Sequence, residues 1–521
     1  MGHPEKQVGE LLLLYHHDAP NRQSAHSERP RHDSGTLEVS MFSNHFDLVA
    51  ASRQEMLAHG FLPDVPADAM KQLQSINASP DPDLRDLTGL LWSSIDNDDS
   101  RDLDQIEWAE RTSAGIRVLV GIADVDTAVT KRTPIDRYAA HETTSVYAGI
   151  HTYPMLPEKL STDLTSLSEG GERAAVVIEY VVEDDGSLGA PAIYRARVRN
   201  HAQLTYNAVG SWLEGKAAAP PKVAASSDLQ AQLRLQDEAA QKLRDARFRH
   251  GALNFDRMEA QAVITDGHVQ DIKERVSNHA THLIEDFMIA ANETMARSLS
   301  AAGISSIRRV VKDPERWNRI VDVAHSLGDR LPSEPDAGAL NQFLIRRKKA
   351  DPDGYENLSL CILKLMGPGI YVLAPAGSDP PGHFGLAAHD YTHSTAPNRR
   401  FADLVTQRLV KALQAHEPTP YSNEELDAIA RECTEKEDAA RKVQRSMLKR
   451  MAALAMQHRI GQTFSAIVTG ASEKGVYARI QSPLVEGRVV LGEEGLDVGD
   501  RVRVSLVRAD PARGFIDFAR M

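Results

Sequence analysis

The sequence predicts an α+β protein in which a large mixed domain of helices and strands precedes a small closed β-barrel. First, 521 residues are too many for one hydrophobic core and indicate two or three domains. Second, β-like runs such as GIRVLVGIADV and AAVVIEYVV alternate with helical runs such as THLIEDFMIAANETMARSL. Third, five short strands separated by Gly, Pro and Asp turns follow Gly461, which is typical of an oligonucleotide-binding barrel.

These patterns divide the chain into four segments. Residues 1–40 are polar and aperiodic, so we predict that they are disordered and that Met41 is a candidate start. Residues 41–84 contain two stretches with helical spacing and predict a small helical accessory domain. Residues 85–458 form the large mixed domain, which ends in a long helix, and residues 459–521 form the barrel.

Composition narrows the class of protein. The apolar content of 42% and the charged content of 26% are those of an ordinary soluble globular protein. Two cysteines, Cys361 and Cys433, exclude a disulfide framework and a sulfur-ligated zinc site. The apolar run LLLLY is too short for an export signal or a membrane span. A net charge of −13 argues against indiscriminate polyanion binding but allows a local basic channel. We therefore expect a cytoplasmic protein without a membrane partner.

The stretch from Trp92 to Glu107, WSSIDNDDSRDLDQIE, holds five aspartates within nine positions. A calcium-binding EF-hand loop starting at Asp96 fails because Arg101 occupies the position that requires Gly and because the flanking segments predict strands. A solvated acidic turn is the usual fate of such a charge run. However, Asp102 and Asp104 alternate along an extended segment between apolar runs, and a dry pair of this kind requires a cation. A Mg²⁺ site for phosphoryl chemistry is the third interpretation.

Three motifs identify a resemblance that decides among these interpretations. They are RDLTGLLWSSIDNDDSRDLDQI from Arg85, YAGIHTYPMLPEKLSTDLTSL from Tyr147, and HFGLAAHDYTHSTAPNRRFADLVTQRL from His383. In this order they resemble the catalytic RNB domain of the ribonuclease II / ribonuclease R family, over about residues 85–414. The C-terminal barrel is similar to the S1 RNA-binding domain that follows it in this family. The family's two N-terminal cold-shock barrels have no counterpart in residues 41–84.

The resemblance implies a processive 3′-to-5′ exoribonuclease that hydrolyses single-stranded RNA to nucleoside 5′-monophosphates with Mg²⁺, or with Mn²⁺ in its place. Asp96, Asp102 and Asp104 match the first three acids of the family's D-x5-D-x-D-D array and are expected to be catalytic metal ligands. The fourth acid falls on Gln105, whose amide oxygen can ligate a hard cation but carries no charge. We therefore expect weakened Mg²⁺ affinity and predict that Gln105→Asp lowers the metal concentration required.

Two consecutive arginines match the family's phosphate-binding pair, with Arg399 at the scissile phosphate and Arg400 as a further RNA contact. A guanidinium binds two phosphate oxygens and stabilises the charge that builds in the transition state. The alternative is that this pair caps a helix or bridges to Asp403.

Three aromatic residues match family positions that hold the 3′ end of the RNA: Tyr147 sets the last nucleotide, Phe255 clamps the base stack, and Tyr206 makes a further contact. Stacking tolerates any base, which suits a nonspecific nuclease. Each ring taken alone fits the hydrophobic core equally well. Glu285 matches an acid near the terminal ribose, where a carboxylate accepts from the 2′-hydroxyl, although a helix-surface acid is the alternative.

Two rival functions remain open. Gln105 motivates an RNA-binding protein with a catalytically weak or inactive nuclease-like domain, and the aspartates motivate a calcium-binding module. Whether the protein is an exoribonuclease or an inactive RNA-binding protein, the expected partner is single-stranded RNA. The sequence contains no sign of an obligate protein partner, so we expect a monomer.

Overall fold

The computed structural model describes residues 46–77, 79–255, 259–265, 268–275, 277–472 and 475–521. The predictions for residues 1–40 and for Met41 lie outside these residues. Phe46–Met521 form one compact unit. It is built from helices and strands throughout, which confirms the predicted α+β class.

The strands of the mixed region occupy the chain between Arg85 and Ala374. They are β1 (Arg85–Asp86), β2 (Trp92–Asp96), β3 (Gln105–Thr112), β4 (Gly115–Ala123), β5 (Val146–Tyr147), β6 (Thr152–Tyr153), β7 (Glu172–Val182), β8 (Leu188–Thr205), β9 (Glu259–Thr265), β10 (His268–Arg275), β11 (Ser306–Val310) and β12 (Ile370–Ala374).

The helices pack against these strands and continue toward the C-terminus. They are α1 (Leu48–Ala58), α2 (Ala67–Leu73), α3 (Pro134–Glu142), α4 (Tyr206–Leu213), α5 (Pro221–Ala224), α6 (Ser227–Arg249), α7 (His279–Ala301), α8 (Trp317–Ser326), α9 (Ala337–Ala350), α10 (Pro352–Met366), α11 (Phe401–Gln414) and α12 (Asn423–Met456).

The central sheet has the strand order β1-β8-β2-β3-β4-β7, and the long strand β8 also pairs with β7. Strand β2 runs parallel to β8, whereas β2–β3, β3–β4 and β4–β7 are antiparallel. The runs rich in Val and Ile form the buried strands, because β-branched side chains pack well on a pleated surface. Trp92, Ile95, Ile106 and Leu119 are fully buried in this core.

Helices α6 and α7 pack against this sheet and against each other. Helix α7 begins with a reciprocal capping box between Asn278 and Thr281, which satisfies amide groups of its first turn. Its apolar face, including Phe287, joins the core of the sheet. These two helices position several of the polar side chains that line the cavity described below.

The C-terminal segment forms the predicted five-stranded closed barrel, in the order β13-β14-β15-β17-β16. Its strands are β13 (Thr463–Ser472), β14 (Gly475–Gln481), β15 (Leu484–Leu491), β16 (Arg501–Asp510) and β17 (Phe515–Arg520). Ala453 and Met456 at the end of α12 belong to the same apolar cluster as the barrel interior. Helix α12 therefore connects the barrel to the larger core. Among the described residues, no helix has both the length and the apolar character that a membrane span requires.

Candidate active site

Strand β2 ends at Asp96, and the turn that follows leads into β3, which begins at Gln105. The buried side chain of Leu103 anchors this turn, and its backbone amide donates to the Ser166 hydroxyl at 3.1 Å. The Gln105 side-chain amide lies 3.5 Å from Asp96 Oδ1, at the long limit of a hydrogen bond. The fold therefore brings together the two ends of the acidic stretch at one end of the sheet.

Asp104 meets the segment that precedes α11. The backbone amide of Asn398 donates to Asp104 Oδ1 at 2.9 Å, and Arg399 Nε lies 3.4 Å from Asp104 Oδ2. Asp104 is 2% exposed, whereas the Arg399 side chain is 42% exposed. Arg399 thus contacts the acidic cluster with its Nε while part of its side chain stays exposed.

Arg400 has a different environment from its neighbour. Its Nε and Nη2 donate to the two carboxylate oxygens of Asp403 at 2.8 and 2.7 Å. Asp403 also accepts from the backbone amide of Ala396 at 2.8 Å. Arg400 therefore forms the bridge to Asp403 that was one of the two alternatives for the arginine pair. Its role as an RNA contact stays a prediction.

Tyr147 lies beside the arginine segment because the two stretches of backbone are hydrogen-bonded. Ser145 donates to the carbonyl of Arg399 at 3.0 Å, and Phe401 donates to the carbonyl of Thr143 at 2.8 Å. Tyr147 is 41% exposed. Loss of hydration raises the pKa of its hydroxyl, Arg399 lowers it, and Asp102 and Asp104 raise it further. The predicted aromatic contact therefore neighbours the acids and Arg399.

The acidic cluster contains more negative charge than its surroundings neutralise. Burial raises the pKa of Asp96 to about 6 and that of Asp104 to about 7, although the positive charge of Arg399 opposes both shifts. Burial also raises the pKa of Asp102. Asp96 Oδ2 is buried and has no hydrogen-bond partner among the described residues. Such a site gains from a bound cation, which stabilises the ionised form of all three acids.

The donor set suits a hard divalent cation that is held only in part by the protein. Among the described residues, no group of three or more His, Cys, Asp or Glu side chains forms a metal cage. Mg²⁺ is usually held by one or two carboxylates together with water and substrate phosphates. The orphaned oxygen of Asp96 and the under-neutralised Asp102 and Asp104 fit this kind of site. Gln105, buried beside Asp96, supplies an uncharged amide.

A cavity of about 1130 Å³ holds two of the other predicted residues, Phe255 and Glu285. Phe255 also packs against the apolar cluster formed by α8, α9 and α10. Tyr206 lies outside the described lining of this cavity. It begins α4, packs on the main core, and its carbonyl accepts from the Asn278 side chain at 3.1 Å. The role of Tyr206 as a further RNA contact therefore stays a prediction.

His393 contacts the rings of Tyr371 and Tyr391 at the cavity wall. It lines the cavity, and its Nδ1 lies 2.8 Å from the Tyr371 hydroxyl. Burial lowers the pKa of His393 well below its ordinary value, and the charges of Arg400, Arg309 and Arg399 lower it further. His393 is therefore a neutral, hydrogen-bonded imidazole close to the arginine pair.

A buried acid next to the site, Glu107, was not predicted from the sequence. The carboxyl group of Glu107, on β3, is fully buried, and neither oxygen has a hydrogen-bond partner within the described ranges. Burial and then the charge of Asp96 raise its pKa well above the ordinary value and so favour its uncharged form. Glu107 lies opposite Ser93 where β2 pairs with β3. This pairing is known only from the fold, so the sequence alone did not indicate that Glu107 is buried beside Asp96.

Basic and aromatic residues of α6 also line the cavity and were not predicted from the sequence. Arg244, Arg247 and Phe248 line the cavity together with Phe255. The signal was present in the stretch RDARFRH, because alternating basic and aromatic residues are typical of nucleic-acid contacts.

Comparisons with known proteins follow the same division of the chain. The RNB domain matches residues 84–416, and the RNase II-type exonuclease C-terminal S1 domain matches residues 462–521. Ribonuclease R 1 of Lactococcus lactis subsp. lactis is 29% identical over 458 residues, which are 82% of this chain and 55% of the relative. Ribonuclease R of Escherichia coli is 30% identical over 428 residues, 78% of this chain and 51% of the relative. The chain spans about half the length of these curated relatives.

Solved structures share the fold. The chain superposes on Mycoplasma genitalium RNase R in complex with ribose methylated single-stranded RNA with a TM-score of 0.83 at 22% identity, covering 92% of this chain and 79% of that one. It superposes on yeast Ssd1, a pseudonuclease, with a TM-score of 0.69 at 18% identity, covering 90% and 58%. The same architecture thus occurs in a protein described as a ribonuclease and in one described as a pseudonuclease.

Proposed function

Because the chain belongs to the RNB family, we propose that it is a processive, Mg²⁺-dependent 3′-to-5′ exoribonuclease that hydrolyses single-stranded RNA to nucleoside 5′-monophosphates. The observation that supports this most directly is the under-neutralised cluster of Asp96, Asp102 and Asp104 beside the partly exposed side chain of Arg399. Buried carboxylates without sufficient countercharge favour a cation, and an arginine next to them favours a phosphate.

The protein's own residues orient the RNA. The strand lies in the cavity, where the ring of Phe255 offers a stacking surface and Glu285 offers an acceptor for a ribose hydroxyl. Tyr147 stacks on the terminal nucleotide beside the acids. Arg399 binds the scissile phosphate, and the backbone amide of Asn398 holds Asp104 in place. Hydrolysis adds water to this phosphate, breaks its bond to the 3′-oxygen of the preceding nucleotide and releases a nucleoside 5′-monophosphate.

Asp96, Asp102 and Asp104 would hold Mg²⁺, with Gln105 as an uncharged fourth ligand and Mn²⁺ as a substitute ion. When bound, the ion supplies activation of water and neutralisation of developing negative charge. Arg399 adds a positive charge that does not depend on the ion. We further propose that the protein acts in the cytoplasm as a monomer.

The activity is tested with a 5′-labelled single-stranded RNA, with Mg²⁺, with Mn²⁺ or with EDTA. We expect loss of full-length RNA to a short end product with either ion and none with EDTA. Mass spectrometry should identify nucleoside 5′-monophosphates. Excess unlabelled RNA added after the start should leave bound strands degrading to completion, because a processive enzyme does not release them. Bound but intact RNA under all conditions would support the inactive RNA-binding protein that Gln105 motivates.

A further inference from the structure

Two arginines on α6 share one buried acid on α7. Arg244 and Arg247 are three residues apart, so they lie on the same face of the helix, and both line the cavity. Arg247 Nη2 donates to Asp286 Oδ1, and Arg244 Nη1 lies 3.6 Å from Asp286 Oδ2. The side chain of Asp286 is only 1% exposed. One carboxylate therefore holds two guanidinium groups at the cavity wall.

The hydrogen-bond donors of this pair are incompletely used. Arg244 Nη1 is 4.0 Å from the nearest oxygen of Glu285, which is too far for a hydrogen bond. Arg244 Nη1 and Arg247 Nε are buried and have no hydrogen-bond partner in the part of the chain that the structure describes. These two atoms are covered by protein, so the positive charge of the pair is incompletely matched inside the protein, while the remaining 19% and 16% exposed parts of the Arg244 and Arg247 side chains face the cavity.

The charged residues that line the cavity favour the binding of an anion. Its lining carries five basic side chains and two acidic ones: Arg244, Arg247, Arg309, Lys348 and Arg441 against Glu285 and Glu437. Arg309 and Arg441 both hydrogen-bond to Glu437. Arg244 and Arg247 lie near Asp286 and, at 4.0 Å from Arg244, Glu285, so the positive surplus belongs to the cavity lining as a whole. The whole chain carries a net charge of −13, so a cavity lined mainly by basic residues is a local feature that attracts anions.

The size and the aromatic content of the cavity indicate a polymer. Its volume of about 1130 Å³ exceeds the roughly 300–1,000 Å³ of ordinary small-molecule pockets. The Arg244 guanidinium lies over the ring of Phe248, 5.3 Å from its centroid, which orients it by a cation–π contact. Basic groups beside aromatic rings are the pattern of a single-stranded nucleic-acid channel.

We propose that Arg244 and Arg247 form a binding site for an internal phosphodiester of the RNA strand, and that Asp286 is a positioning residue that holds both guanidinium groups. This phosphodiester differs from the scissile one, because Arg399 and the acids lie outside the described lining of this cavity. The inference rests on the proposed function and assigns it a second phosphate contact. The fork geometry of a guanidinium suits two oxygens of one phosphate.

The test measures binding of a fluorescently labelled single-stranded RNA by anisotropy at several KCl concentrations in EDTA, where cleavage does not occur. The variants are Arg244→Gln and Arg247→Gln. Arg249→Gln is the matched control, because Arg249 lies on the same helix and donates to the backbone carbonyl of Asp185. Each lost phosphate contact should reduce the slope of log K against log [KCl] by about 0.7 and weaken binding roughly tenfold or more. In Mg²⁺, KM should rise while kcat stays unchanged.

Further variants separate positioning from simple neutralisation. Asp286→Asn should weaken RNA binding and raise KM, because Arg247 loses its charged acceptor and Arg244 loses the countercharge 3.6 Å away. Tighter binding by Asp286→Asn would show that Asp286 only reduces the positive charge, and it would overturn its positioning role. Arg247→Lys keeps the charge and should retain the salt slope with reduced affinity. If Arg247→Gln does not fold, Arg244→Gln carries the test, since its Nη1 makes no hydrogen bond to the described protein.

The outcomes distinguish this inference from the proposed function. If the wild-type protein degrades RNA and both arginine variants match Arg249→Gln in slope, affinity and KM, the phosphate site is overturned and the function stands. If the wild-type protein binds RNA without degrading it and the arginine variants bind more weakly with a reduced slope, the phosphate site is supported and the exoribonuclease proposal fails.

Discussion

Two buried aspartates lie at neighbouring positions of one strand pair and have opposite electrostatics. Asp104 precedes β3, and Asp124 directly follows β4. The two strands are paired, and the backbone amide of Ala123 donates to the carbonyl of Asp104 at 2.9 Å. Asp104 is 2% exposed and Asp124 is 4% exposed. Any difference between them therefore comes from their charged neighbours and not from their depth.

Asp124 is neutralised by two cations. Lys411 Nζ lies 2.8 Å from one carboxylate oxygen, and Arg195 Nε lies 2.7 Å from the other. Burial alone would raise its pKa, but Lys411 and Arg195 outweigh burial and lower the pKa of Asp124 below its ordinary value. This ion network is complete within the protein and ties α11 to the sheet.

Asp104 has one cation, Arg399, at 3.4 Å, and a second acid, Asp102, close enough to raise its pKa. Burial prevails, and the pKa of Asp104 is raised to about 7. Burying a carboxylate with too little positive charge nearby is unfavourable, so the under-neutralised Asp104 indicates a bound ligand. The contrast with Asp124 indicates that a complete ion network stabilises the fold, whereas an incomplete one binds a ligand.

The largest expected effect is the loss of RNA cleavage by Asp104→Asn. The substitution removes the charge and keeps an acceptor for the Asn398 amide, so cleavage should fall by more than about 100-fold. RNA binding in EDTA should be retained. Because a poorly neutralised buried charge is removed, the melting temperature of the metal-free protein should stay the same or rise. Cleavage at the wild-type rate would exclude Asp104 from the active site.

The corresponding change in the complete network should act on stability. Asp124→Asn removes the acid that the partly buried Arg195 contacts and leaves Lys411 with Asp126, so the free energy of unfolding should fall by about 3 kcal/mol in urea denaturation. The control is Asp427→Asn, which breaks an exposed pair with Arg431 and should cost less than about 1 kcal/mol.

The same network predicts a pH dependence of stability. The folded pKa of Asp124 lies below the ordinary value of 3.8, so its contribution is full above that pH. The contribution is lost as the pH falls through the folded pKa. The stability difference between the wild-type protein and Asp124→Asn should therefore shrink below about pH 3.8. A difference that is constant between pH 7 and pH 3 would contradict this assignment.

The sequence predicted the barrel and the strands that carry the acids, because alternating β-branched residues and glycine turns are local signals. The motif resemblance identified Asp96, Asp102 and Asp104. It could not separate Asp104 from Asp124 in electrostatics, since Lys411 and Arg195 are 287 and 71 residues away from Asp124 along the chain. Such pairings exist only once the fold is formed.

The neighbouring residues Arg399 and Arg400 also show that the sequence alone does not identify the charged partners of a side chain. Arg399 and Arg400 are adjacent in the sequence, yet one contacts Asp104 and the other forms a two-pronged pair with Asp403. From the sequence, phosphate binding and a bridge to Asp403 were alternatives for the two arginines together. The start of α11 at Phe401 decides between them, because it places Asp403 in the first helical turn beside Arg400.

The smallest expected effect is that of Gln105→Asp on metal affinity. A carboxylate at this position adds a negative charge for Mg²⁺, but it also replaces the amide that faces Asp96 and adds repulsion there. The two effects partly cancel, so the Mg²⁺ concentration for half-maximal thermal stabilisation should fall by only about 3- to 10-fold. Gln105→Asn is the control, since it shortens the side chain without adding charge. The same shift should appear in the Mg²⁺ requirement for RNA cleavage. An unchanged or higher requirement in Gln105→Asp would mean that this residue supports Asp96 and does not ligate the ion.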